Sequence, residues 1–101
     1  MREAYDSALK EVDVIIMPTI PHLPDTIPKY DADFSEYMFK ALNMVNNTPQ
    51  FNLTGHPAIT VPCGSHKDLP VGFQIVGRHF DDITVLQVAD ALEKTGQWQM
   101  F

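Results

Sequence analysis

The chain has 101 residues, 45% hydrophobic and 20% charged, which fits one small globular region and argues against disorder. Seven basic against 13 acidic side chains give a net charge of -6 and a pI near 4.9, arguing against a sequence-independent grip on nucleic acid or an anionic membrane. The longest apolar stretch, Val14 to Met17, falls far short of the roughly 20 residues of a spanning helix.

Residues 2 to about 10 read as a helix, with Ala4, Tyr5, Ala8 and Leu9 at three-to-four spacing. A chain that opens inside such a pattern is expected to be a piece of a longer one. Val12 to Met17 is a β-branched apolar run stopped by Pro18, as in a buried strand. Pro18, Pro21, Pro24 and Pro28 then preclude regular structure, so residues 18–33 are expected to form a proline-rich surface loop. Ser35 is the expected N-cap of the next helix, with Glu36 in its first turn. Tyr37, Met38, Ala41, Leu42, Met44 and Val45 continue it to about Asn47 and cover most of its circumference, which predicts deep burial.

Thr48-Pro49 interrupts, Phe51 to Thr54 adds a turn, and Gly55 ends it in a left-handed conformation. Ala58 to Val61, between Pro57 and Pro62, is the second strand, and Gly72 to Val76 is the third. Their closeness in sequence predicts an antiparallel hairpin with a loose loop over Gly64 to Pro70. Asp81 or Asp82 caps a last helix from Ile83 to about Thr95, with Lys94 and Gly96 as its stop signal.

Few residues carry a chemical signal by themselves. Cys63 is the single cysteine, so no internal disulfide and no thiol metal spacing exist, and neither a metal nor a cofactor is expected. Asn46-Asn47-Thr48 and Asn52-Leu53-Thr54 match the glycosylation acceptor pattern, which has meaning only in a secreted protein. The acidic N-terminus lacks a signal peptide's layout, so the expected location is cytoplasmic. His56, between Gly55 and Pro57, has the chemistry of a general base or of a packed turn residue. Asn52 and Thr54 read as caps for local backbone at the same turn. Cys63 with His56, and Ser65-His66-Lys67-Asp68, have the composition of a nucleophilic site, but a small apolar filler and a polar turn explain them better. Arg78 and His79 read as the charged end of a strand. Gly72 and Gly77 flank the third strand where close approach or a bend is expected.

Three ordered segments carry a resemblance. Asp13-Val-Ile-Ile-Met-Pro-Thr19 with Pro21, Phe51-Asn-Leu-Thr-Gly-His-Pro-Ala-Ile-Thr-Val-Pro-Cys-Gly64, and Leu69-Pro-Val-Gly-Phe-Gln-Ile-Val-Gly-Arg-His-Phe-Asp-Asp82 resemble the C-terminal portion of the amidase signature family. The final helix and Gly96-Gln97-Trp98 fit as well, so the likeness runs from about Tyr5 to Trp98. The Phe51-Asn-Leu-Thr-Gly-His-Pro57 form is most similar to bacterial and fungal amidases acting on small amides.

The resemblance implies an α/β fold, a mixed β-sheet covered by helices on both sides, to which this chain gives about three strands and three helices. Residues 1–101 are then a single region, the C-terminal part of an amidase domain. The implied reaction is amide C–N hydrolysis by a Ser-Ser-Lys triad whose second serine lies in a cis peptide, with backbone N–H groups on the oxyanion. Ser7, Ser35 and Ser65 adjoin no other serine and no Gly-rich loop, so no catalytic residue is assigned and the chain alone is expected to be inactive. The resemblance also places Leu42 and Val45, three apart on one helix face, against the acyl part of a small amide substrate. From the residues themselves, core is the favoured reading of both. The expected partner is the remainder of the amidase chain. The alternative is a stand-alone interaction module or split-enzyme subunit that self-associates or docks on a partner.

Overall fold

A computed structural model describes residues 1–96; Gln97 and Trp98 of the family-like terminus lie outside the described residues. Its elements are α1 (Arg2–Ala8), β1 (Ile15–Pro18), α2 (Phe34–Asn43), α3 (Pro49–Thr54), β2 (Ala58–His66), β3 (Leu69–Val76) and α4 (Asp82–Glu93). The three strands form one sheet in the order β1-β3-β2, with β3 antiparallel to both neighbours.

Register explains where the core lies. Ile75 stands opposite Ile16 on one side and Ile59 on the other, and cross-strand partners share a face. That face meets α4: Ile75, Val85 and Ala89 are buried together, with Val14, Ile59, Val61, Phe73 and Val88 packed around them. Gln74 and Val76 alternate to the opposite face. There the buried Gln74 Nε2 donates to the Asn47 carbonyl at 2.9 Å, tying the segment between α2 and α3 to the sheet.

Gly77 shows why α4 approaches so closely, because a Cβ there would stand 2.5 Å from Val85 Cγ2. Gly72 answers a cross-strand approach instead, its Cβ position lying 3.0 Å from Thr19 Oγ1. Asp81 caps α4 by accepting from the Thr84 N–H at 3.3 Å, and Gly55 ends α3 at φ +81°.

The apolar run from Val12 to Met17 predicts a buried strand stopped by Pro18, but β1 is an outer strand that includes Pro18 and has no buried residue. Four further details depart from the sequence-based expectations. The N-cap of α2 is Asp33, whose extended backbone lets Oδ1 accept from the Glu36 N–H at 2.7 Å; Ser35 lies inside the first turn. The second strand does not stop at Pro62 but continues to His66, because β2 is an outer strand with a register shift between Pro62 and Ser65. The hairpin loop is tight rather than loose: His66 pairs with Leu69, and Lys67 and Asp68 turn the chain at φ 52° and 63°.

The last departure bears on function. Helix α2 has no buried residue, and Phe34 is 78% and Phe39 67% exposed. Its apolar circumference needs neighbours all round, and the described residues supply them on one side only, where Lys40 Nζ reaches Thr26 Oγ1 at 2.9 Å. The radius of gyration, 15.8 Å, likewise exceeds the roughly 13 Å of a compact domain of this length.

Candidate functional site

Of the two residues that the resemblance places against an acyl group, Leu42 lies in the last turn of α2, whereas Val45 lies in the turn beyond it, because α2 ends at Asn43 and not at the expected Asn47. Leu42 is 58% and Val45 44% exposed, so neither belongs to this chain's own core. An open cleft of about 690 Å³ lies beside the hairpin, lined by Thr19, His22, Leu23, Thr60, Val71 and Gly72 among others. A groove of about 320 Å³ lies between residues 25–28 and α2, lined by Tyr37, Lys40, Ala41 and Met44. Neither Leu42 nor Val45 lines the cleft or the groove. Both stand largely uncovered by the described residues.

What holds this helix end is a set of hydrogen bonds from side chains far away in sequence. Asn47 Nδ2 donates to the Pro18 carbonyl at 2.9 Å, at the end of β1. His22 Nε2 bonds the Asn43 carbonyl at 2.9 Å while its Nδ1 bonds the Leu23 carbonyl at 2.7 Å. Carbonyls only accept, so both contacts are made at once only by the doubly protonated imidazolium. The Leu23 and Asn43 carbonyls, with Asp25 assisting, raise the His22 pKa above its ordinary 6.5 against the opposing effect of desolvation. A cation at the last carbonyls of α2 also suits the helix dipole.

A pH dependence follows. A raised folded-state pKa means that the tie contributes fully below the unfolded value and is lost as pH rises through the folded one. The 19–33 segment is therefore expected to be cleaved faster by a protease at pH 8 than at pH 6, and His22→Ala is expected to remove the difference. Equal cleavage of the unaltered chain at both pH values counts against the imidazolium tie.

A second assembly sits where α1 meets the turn into β2. His56 is buried; its Nδ1 lies 2.8 Å from Thr54 Oγ1 and its Nε2 2.8 Å from Asp6 Oδ1. The His79 ring lies against it, centroids 4.0 Å apart and planes tilted by 33°, and His79 Nε2 is 3.5 Å from the same Asp6 oxygen. His79 Nε2 is buried without a hydrogen bond. The donor atoms of Asp6, His56 and His79 all lie within 4.8 Å of one another. Arg2 Nε donates to the Thr54 carbonyl at 3.0 Å, and Arg78 Nε to the Leu9 carbonyl at 2.8 Å, so both ends of α1 are held at this junction.

His56 is thus a packed residue with both nitrogens engaged, and the partner of the Thr54 hydroxyl is an imidazole rather than local backbone. Cys63 Sγ donates to the Val71 carbonyl at 3.5 Å across the hairpin and has no bond to His56. Ser65, His66, Lys67 and Asp68 run along the strand end and round the turn. Among the described residues no hydrogen bond joins a serine hydroxyl to a lysine. The convergence of Asp6, His56 and His79 has no spacing signal, since Asp6 and His56 are 50 positions apart.

With this geometry in hand, comparison with known proteins assigns the lineage. The sequence model of the family described as Amidase matches residues 1–86, and the chain belongs to that family. It is similar to an uncharacterized protein in the nthA 5' region of Rhodococcus erythropolis, 50% identical over 93 residues, which are 92% of this chain and 47% of that protein. It is similar to the enantioselective amidase of Rhodococcus rhodochrous, 47% identical over 90 residues, 88% of this chain and 17% of that enzyme. Among solved structures it resembles a glutamyl-tRNA(Gln) amidotransferase subunit from Thermotoga maritima with a TM-score of 0.73 and 35% identity, covering 92% of this chain and 20% of that one. The chain therefore spans less than half the length of each of these proteins. The α/β architecture expected from the resemblance is present here as a three-stranded antiparallel sheet with four helices, and matches part of the solved amidotransferase subunit. No described helix is long and apolar enough to cross a membrane.

Proposed function

We propose that this chain is the C-terminal scaffold segment of a cytoplasmic amide hydrolase whose Ser-Ser-Lys triad lies outside it. The supporting observation is a family match over residues 1–86 joined to a bare apolar helix: Phe34, Tyr37, Phe39 and Leu42 are exposed on α2. Such a surface suits a helix whose neighbours come from the remainder of the amidase chain. In this reading the three-stranded unit supports α2, and Leu42 and Val45 meet the acyl group of a small amide. No residue here attacks the carbonyl.

The test is an amide hydrolysis assay on these 101 residues. We expect no turnover above the buffer blank with aliphatic or aromatic amides. Appreciable hydrolysis removed by a serine-directed inhibitor defeats the reading, because it requires a nucleophile inside the chain.

The same exposed helix also favours a second reading, in which a further copy or a separate subunit covers α2. Light scattering at low concentration separates the two: a stable, well-folded monomer argues against any obligate partner.

A further inference from the structure

We infer that Asp6, His56 and His79 form a binding site for one divalent transition-metal ion with zinc-like coordination preferences. Two imidazoles and one carboxylate are a donor set suited to such ions. Asp6 Oδ1 is 2.8 Å from His56 Nε2 and 3.5 Å from His79 Nε2. Tetrahedral zinc, with bonds of about 2.0–2.1 Å, sets its donor atoms roughly 3.3 Å apart, between these two values.

Three features of the surroundings favour an ion. Thr54 Oγ1 holds His56 Nδ1 at 2.8 Å, the kind of outer contact that turns the other ring nitrogen toward an ion. His79 Nε2 is buried without a hydrogen bond, so in the tautomer protonated at Nδ1 its electron pair is free to bind an ion. The Asp6 side chain is 43% exposed, which leaves an entry path and room for water as a fourth ligand.

Two features limit the affinity. The His56 and His79 rings are in contact at 4.0 Å, so His79 must swing for both nitrogens to point at one ion, while His56 is held at both ends. The Arg2 guanidinium, bonded to the Thr54 carbonyl, places a positive charge nearby. Both weaken the binding relative to a site whose ligands already point at one ion.

The site is tested by titrating the chain with Co²⁺, followed by visible absorption and by equilibrium dialysis. The expected result is one ion per chain with tetrahedral bands, weakened roughly 10-fold or more in His79→Ala and in Asp6→Asn. A His22→Ala/His66→Ala double variant is expected to bind as the unaltered chain does. Binding that persists in both site variants, or no stoichiometric binding at millimolar Co²⁺, overturns the proposal. If a variant fails to fold, paramagnetic shifts of the His56 and His79 ring protons in the unaltered chain decide; their absence at saturation rejects the site.

Discussion

Replacing Ile75 by alanine is expected to destabilise the fold by about 2–5 kcal/mol, the range for removing a large aliphatic side chain from a closed core. Ile75 is 0% exposed, stands in the central strand, and is flanked by Ile16 and Ile59 in register. Val85 and Ala89 of α4 close over it from the helix layer. A hole there has strands on two sides and a helix above, so little can collapse into it. Native domains have only about 5–15 kcal/mol in total, so this one truncation removes a large share. The measurement is urea unfolding, with the midpoint falling and the slope unchanged. Ile16→Ala is the control. It sits on the same face, but its strand is on the outside of the sheet and it is 55% exposed, so it should cost much less. Equal losses at the two positions would mean that α4 does not define the core.

The contrast between Ile75 and Ile16 also shows how far local pattern reaches. Both are β-branched residues in apolar runs, and both runs do form strands, but the burial expected of the Val12 to Met17 run is not found in β1. Which strand lies in the middle is a long-range fact that no local pattern carries. The hairpin is readable from proximity and from Pro and Gly punctuation. Its tight turn is not, because Lys67 and Asp68 occupy positive φ where Gly or Asn is the usual signal. Pro62 misleads for a related reason: a missing donor ends a central strand but is tolerated on an outer one at a bulge.

The apolar circumference of α2 predicts burial, and the structure leaves that helix exposed. The pattern reports what a helix needs as neighbours, not whether these residues provide them. Of the candidate site, the resemblance supplies Leu42 and Val45, and the structure adds that both are largely uncovered. The Asp6, His56 and His79 junction is invisible in sequence because it joins α1, the turn before β2 and the segment after β3.

In a complete enzyme carrying this segment, Leu42→Ala is expected to change the ratio of kcat/KM between a bulky and a small acyl amide by at least about 10-fold. One methylene in a hydrophobic pocket already discriminates by roughly 10–200-fold, and this change removes more than one. Position is what recommends the residue. Leu42 is 58% exposed, lines neither the cleft nor the groove, and stands at a helix end fixed by His22, Asn47 and Gln74. A side chain on a fixed base is suited to defining a pocket wall, because its backbone does not yield when the substrate changes. Steady-state kinetics on paired amides, with thermal unfolding in parallel, separates the two roles of the residue. A ratio that shifts while Tm barely moves assigns Leu42 to the acyl pocket. An unchanged ratio with a lower Tm assigns it to an interface with the rest of the enzyme.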